Sequence, residues 1–207
     1  RDYYASRGLG DVYKRQGLGG DTLKSTAEDL LFNRALPLNS YKTSRFTLDK
    51  DSPNALVMQT SIGQGNTLVS PMHMALITSA IANDGILMKP TMIDKIVNNS
   101  GDTVRETEKT EYKRLMTRNE ANILGKLMKN VVENGTASAL NGRGYTVAGK
   151  TGSAEFDENG SSHSWFVGYS NVDDPDIAIA VIVENGGTGS EAAVPIAADV
   201  FDAYYFD

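Results

Sequence analysis

The stretch Val147-Ala148-Gly149-Lys150-Thr151-Gly152-Ser153-Ala154-Glu155 sets one charged side chain among small and hydroxyl-bearing ones. Its flanks read as a strand central to the fold, with Lys150 between two glycines. Glycine at such positions lets another chain or a ligand approach the backbone closely. Lys150 supplies a compact positive charge, and Thr151 and Ser153 supply hydroxyls. Gly152 leaves the strand bare beside them. This set suits an anionic, peptide-like ligand laid along the strand edge. Gly-Lys-Thr also ends the phosphate-binding loop, which needs an earlier glycine at fixed spacing and a helix directly after it. Here Arg143-Gly144 lead into a strand, and Ser153 to Gly160 lead to a turn and a further strand. The context therefore excludes a phosphate loop. Lys-Thr-Gly taken alone is a tripeptide that arises by chance.

The composition limits what such a strand could serve. The 207 residues suffice for one domain with a core, and the formal net charge of −6 disfavours nucleic acid or an anionic membrane as partner. Cysteine is absent, which removes disulfides and thiolate metal sites; an oxidising compartment and a cytoplasmic one are both compatible with that. With only His73 and His163, a multi-histidine metal centre is excluded, and no cofactor is implied. No apolar run approaches the roughly 18 residues of a membrane span. Residues 1–16, ending Asp11-Val12-Tyr13-Lys14-Arg15-Gln16, resemble a translated sequencing adapter, so native sequence is expected from Gly17.

The elements that must position the motif follow from caps and periodicity. A helix is expected over Asp21–Asn33, capped by Asp21, with Leu23, Ala27, Leu30 and Leu31 inward. Ala35–Ser52 reads as loop. Ser70 and Pro71 suit the cap and first turn of a helix that runs to Ala82 and is apolar all round, hence buried. Asn83-Asp84-Gly85 ends it with a left-handed cap. Met92–Val97 and Thr103–Thr107 form a hairpin about Asn98-Asn99-Ser100-Gly101-Asp102. Thr117 and Glu120 make a capping box for a helix facing inward with Ile123, Leu124, Leu127, Met128 and Val131. Thr136–Leu140 adds a short helical turn. Strands follow at Tyr145–Ala148, Trp165–Tyr169 and Ile177–Val183, joined by turns at Asp157–Gly160 and Asp173–Pro175. A last helix spans Glu191–Tyr205, with Ala193, Ile196, Ala197, Val200 and Tyr204 inward. The class is α+β: residues 17–144 are mainly helical with a hairpin, and 145–207 carry an antiparallel sheet and the closing helix.

Around the motif, several further blocks stand in order along the chain. They are Ser61-Ile62-Gly63-Gln64-Gly65, then Val69-Ser70-Pro71-Met72-His73-Met74-Ala75 and Ala80-Ile81-Ala82-Asn83-Asp84-Gly85. Asn134-Gly135-Thr136-Ala137, the Lys-Thr-Gly strand and His163-Ser164-Trp165-Phe166-Val167-Gly168-Tyr169 complete them. In order and spacing the chain from about Gly17 onward resembles the transpeptidase domain of class B penicillin-binding proteins, in which Lys-Thr-Gly is the third signature. The resemblance implies the penicillin-binding and serine β-lactamase-like fold. It implies D,D-transpeptidase chemistry too: a serine attacks the D-Ala-D-Ala bond of a peptidoglycan stem peptide, and the ester passes to an amine of a neighbouring stem. β-Lactams acylate the same serine. Lys150 then draws the ligand carboxylate and favours deprotonated catalytic neighbours, while Thr151 and Ser153 hydrogen-bond that carboxylate. The Ser153 N–H is one of two oxyanion donors, and Gly152 lets the ligand backbone lie against the strand. The implied location is the extracytoplasmic face of the bacterial cytoplasmic membrane, with cell-wall synthesis proteins as partners of the parent.

The sequence departs from that pattern in two motifs. Ser-x-x-Lys, the nucleophile and base, and Ser-x-Asn are both absent; Ser40-Tyr41-Lys42 has the wrong spacing, and Ser170-Asn171 and Asn39-Ser40 do not fit. The chain is therefore expected to be the C-terminal part of its domain. The strand Ile177–Val183 is then expected to have an open side, which favours aggregation. A β-lactamase, a D,D-carboxypeptidase and a β-lactam sensor share this fold and stay open at this point. Trp165 and Phe166 divide between core and sheet face, His163 and Glu155 read as surface residues, and Gly63-Gln64-Gly65 as a tight turn. This polypeptide alone should form no covalent adduct with a fluorescent penicillin. Mass spectrometry checks it, and a stable one-to-one adduct on any serine present would contradict it.

Overall fold

A computed structural model describes residues 19–38, 41–155 and 162–206. The adapter-like residues 1–16, residues Asn39 and Ser40, and the turn expected at Asp157–Gly160 lie outside the described residues. Three layers make the fold: a C-terminal helix, a three-stranded antiparallel sheet, and a layer of helices on the sheet's other face. This is the expected α+β arrangement.

The helical layer begins with α1 (Gly19–Asp29), where Asp21 lies in the first turn rather than at the cap. Leu31 and Asn33 then take positive φ and turn the chain, which ends the helix before Asn33. The loop read over Ala35–Ser52 is followed by a helix that the pattern did not announce, α2 (Asn54–Ser61). Helix α3 (Pro71–Ala82) starts where its cap predicts, with the Ser70 hydroxyl accepting from the His73 N–H at 3.2 Å. After Pro71 no residue of α3 is exposed. Asp84 and Gly85 close it with positive φ, and Gly85 N–H donates to the Ala80 carbonyl at 2.7 Å.

Two small ribbons follow. Strand β1 (Ile86–Met88) pairs with β4 (Glu111–Arg114), and between them β2 (Lys95–Val97) and β3 (Thr103–Glu106) form the expected hairpin. Helix α4 (Arg118–Asn134) carries the predicted capping box. Its buried face is the expected one only in part, with Met128 buried and Val131 half-buried against the core. Ala121, Gly125, Met128 and Val132 are buried, whereas Ile123, Leu124 and Leu127 are exposed. Small residues win because the sheet comes close: a Cβ on Gly125 would stand 2.6 Å from the Tyr169 hydroxyl. The short turn Ser138–Leu140 follows as expected.

The sheet has the order β5 (Val147–Ala154), β6 (His163–Ser170), β7 (Ala178–Val183). Strand β5 runs on through Lys-Thr-Gly to Ala154 instead of ending at Ala148. Strand β7 pairs with β6 alone among the described residues, and its six apolar residues are all half-exposed. Helix α3 lies against β6 and β7, and α4 against β5. The opposite face packs on a π-helical turn (Gly189–Ala193) and on α5 (Val194–Phe206), through Phe166, Val194, Ala197, Ala198 and Phe201. Of the residues expected to face inward there, Ala193 and Ala197 do, but Ile196, Val200 and Tyr204 are exposed. Helix α5 is apolar nearly all round, so its periodicity could not choose between adjacent faces.

His73 ties α3 to the segment that follows α1 in the helical layer. It is fully buried, its Nε2 stands 2.7 Å from the Leu30 carbonyl, and its ring tilts on Phe32 at 4.7 Å. Burial pushes the imidazole below its ordinary value of 6.5, against a smaller opposite pull from the Leu30 hydrogen bond. The unfolded chain therefore takes up the proton more readily than the folded one. Stability from the neutral ring is whole above about pH 6.5 and is lost as the pH falls towards the lowered folded value. Urea unfolding should show stability falling below that pH. His73→Gln, which keeps an N–H for Leu30 but does not titrate, should remove this component; superimposable pH profiles would contradict it.

Candidate active site

Strand β5 pairs with β6 on one side, and its other edge is open among the described residues. In an antiparallel strand the N–H and C=O of one residue point the same way, and neighbours alternate. The Thr151 carbonyl receives Lys150 Nζ at 2.5 Å, and the Ser153 carbonyl receives Gln64 Nε2 at 3.5 Å. Both bonds lie outside the ladder. Thr151 and Ser153 thus present their backbone groups to the open edge, and by alternation Lys150 and Gly152, opposite Val167 and Trp165 of β6, turn theirs to the ladder.

Side chains alternate as well. Lys150 shares the face of Ala148 and Gly152, the face covered further along by α3 and α4, and is itself exposed. Thr151 and Ser153 share the face of Val147, which is packed on α5. The four predicted residues therefore do not share a face of the sheet; they meet along its edge. Thr151 is buried, with its hydroxyl 2.5 Å from that of Thr136. Ser153 is exposed, and its hydroxyl accepts from the Gly189 N–H at 3.3 Å.

The two glycines of the motif serve different ends. A Cβ on Gly149 would stand 2.4 Å from the Phe166 ring, which also fills the space over Gly168. Gly149 is thus a packing requirement of the core. A Cβ on Gly152 would meet only the Trp165 Cβ, at 3.3 Å, so this glycine keeps the strand bare beside Lys150. Phe166 is core and Trp165 half-buried, the division expected of that pair.

Neighbouring elements hold the edge in place. The Asp202 carboxylate on α5 accepts from Arg143 and, at 2.5 Å, from the Tyr145 hydroxyl, anchoring the segment that enters β5. Burial first, then this hydrogen bond, pushes the Tyr145 hydroxyl up to about 12, so it stays a donor. At the other end, buried Ser164 donates to the Thr188 carbonyl at 2.7 Å and accepts from the Ala193 N–H at 3.0 Å. That clamps the π-helical turn so close to the motif that a Cβ on Gly189 would lie 2.8 Å from the Thr151 Cβ. His163 does surface work, its Nδ1 accepting from the Asn185 N–H at 3.1 Å.

Three residues at this edge escaped the sequence reading: Gln64, Gly189 and Thr136. Gln64 stood in a block read as a mere turn. Gly63 and Gly65 do take positive φ on either side of it, and the turn they make brings its amide to β5. Gly189 left no local signal. Thr136 lay in one of the ordered blocks, without a role.

Comparison with known proteins agrees with this geometry. The sequence model described as the penicillin binding protein transpeptidase domain matches residues 13–202. This chain belongs to that family. Penicillin-binding protein 3 of Bacillus subtilis is 32% identical over 81% of this chain and 25% of its own length. The peptidoglycan D,D-transpeptidase PbpA of Mycolicibacterium smegmatis is 30% identical over 86% of this chain and 38% of its own. This chain thus spans well under half of either relative. Among solved structures, the imipenem acyl-enzyme of penicillin-binding protein A from M. tuberculosis superposes with a TM-score of 0.80 at 27% identity, covering 93% of this chain and 44% of the other. The D,D-transpeptidase domain from Eggerthella lenta gives 0.80 at 27% identity, covering 94% and 49%. The class B resemblance and the fold it implied are borne out. Among the described residues no helix is long and apolar enough to cross a membrane, and no cluster of potential ligands could hold a metal ion.

In this member of the transpeptidase-domain family, Gly149→Ala should lower the unfolding free energy by about 1–3 kcal/mol through overpacking against Phe166. Gly152→Ala should cost much less. Urea unfolding of the two variants checks the order, and equal losses would contradict the division of roles between these glycines.

Proposed function

We propose that this chain carries the ligand-binding sheet of a peptidoglycan D,D-transpeptidase that works through a serine acyl-enzyme. The observation that carries the reading is the open edge of β5. It offers the backbone groups of Thr151 and Ser153 and a lysine charge on a bare strand, which suits an extended peptide ending in a carboxylate. The names of the relatives support it. PbpA of Mycolicibacterium smegmatis and MrdA of Acinetobacter baumannii are called peptidoglycan D,D-transpeptidases, and acyl-enzyme complexes with imipenem and ceftriaxone stand among the similar structures. They favour a transpeptidase over a β-lactamase or a sensor on the same fold.

In this reading the Ser-x-x-Lys and Ser-x-Asn motifs come from protein outside this sequence. The serine oxygen attacks the penultimate D-Ala carbonyl, its proton passes to a base, and the terminal D-Ala leaves as a protonated amine. An amine of a second stem peptide then attacks the ester, forming the cross-link and restoring the serine. Lys150 binds the terminal carboxylate, assisted by Thr151 and Ser153. The Ser153 N–H stabilises the developing oxyanion, and Gly152 gives the ligand backbone room. β-Lactams enter as mimics of the dipeptide. The domain acts on the extracytoplasmic face of the cytoplasmic membrane, where its substrate is, alongside other cell-wall synthesis proteins.

In the full-length protein, Lys150→Ala should reduce the second-order rate of acylation by a fluorescent penicillin about 100- to 1000-fold, the scale of losing one preorganised charge or oxyanion donor. Equal rates in wild type and variant would remove Lys150 from the site.

A further inference from the structure

Thr136 follows the C-terminal end of α4 and reaches β5 from the side. Its hydroxyl lies 2.5 Å from that of Thr151, and within this pair either oxygen has the geometry to donate. The two ends of the pair differ in surroundings. Thr151 is nine-tenths buried, wedged between Thr136 and the clamped Gly189, whereas Thr136 is exposed. A hydroxyl has one proton to give and two lone pairs to receive. If Thr151 spends its proton on Thr136, it has only lone pairs for a ligand, and these repel a carboxylate. If Thr136 donates, Thr151 keeps its proton for the anion. The lone pairs of exposed Thr136 are then served by water, so no buried acceptor is orphaned.

We propose that Thr136 is a positioning residue for carboxylate recognition: it donates to Thr151, and Thr151 donates in turn to the ligand's carboxylate. The inference rests on the transpeptidase reading of the β5 edge. It adds a residue outside the Lys-Thr-Gly motif to the site and assigns the direction of its hydrogen bonds. A chain of this kind strengthens each bond by polarising the next. It also separates the work of Lys150, an exposed charge that attracts any anion, from that of Thr151, whose single proton demands one direction.

The test uses the full-length protein and two β-lactams, one with its free carboxylate and the same compound as its methyl ester. The quantity read is the ratio of their second-order acylation rates within each preparation, so that any loss of folded protein cancels. Thr136→Val removes the donor and keeps the shape; Thr136→Ser restores it. Thr136→Val should lower the ratio about three- to tenfold, the scale of one hydrogen bond. Thr136→Ser should return it to within about twofold of wild type. An unchanged ratio in Thr136→Val, with Thr151→Val lowering it, would overturn the role of Thr136 and leave the reading of the site intact. A fall of both rates by one factor, leaving the ratio unchanged, would make Thr136 merely structural and overturn it too. An unchanged ratio in Thr151→Val would overturn the placement of the carboxylate itself, and the inference with it.

Discussion

In an antiparallel edge strand the backbone groups of alternate residues point away from the sheet, and the site depends on which alternates those are. In β5 they are Thr151 and Ser153, whose carbonyls accept from Lys150 and Gln64 outside the ladder, while Lys150 and Gly152, opposite Val167 and Trp165, alternate inward. A slip of one residue would turn Lys150 into the face packed on α5 and send Gly152 to the edge. The register is pinned by packing. The Phe166 ring occupies the space over Gly149 and Gly168, which only residues without a side chain can leave to it. Any slip would drive a side chain into that ring.

The layers on either side explain why this edge is rigid and yet accessible. Asp202 of α5 holds Arg143 and Tyr145, and so the entry to β5, while Ser164 holds the turn that bears Gly189. Helices α3 and α4 cover the other face around Ala148 but leave Lys150 exposed. Capped helices and a packed core thus fix a strand whose outer edge pairs with no other strand among the described residues. Among the described residues, β7 likewise has one unpaired side and six apolar residues in a row, a surface that sheet proteins normally cover.

How much of this was legible in the sequence depended on whether the signal was local. The caps of α3 and α4 were, since Ser70 with Pro71 and Thr117 with Glu120 act within one turn. The Lys-Thr-Gly strand was legible through its glycines and the ordered blocks around it. Buried faces were not. On α4 Ile123, Leu124 and Leu127 face out, because Gly125 has to admit the Tyr169 hydroxyl. On α5 nearly every face is apolar, Asp199 and Asp202 apart, and the choice fell to the sheet. Gln64, Thr136 and Gly189 belong to the site through contacts across the chain, which no spacing announces.

The central claim is that the open edge of β5 receives the ligand as an added strand. Amide hydrogen exchange in the full-length protein, with and without a bound β-lactam, tests it most directly. The N–H groups of Thr151 and Ser153 should exchange quickly in the uncomplexed protein and be slowed on acylation. Those of Trp165 and Val167, already committed to the β5–β6 ladder, should hardly change. Protection appearing elsewhere, with Thr151 and Ser153 unaffected, would contradict the claim.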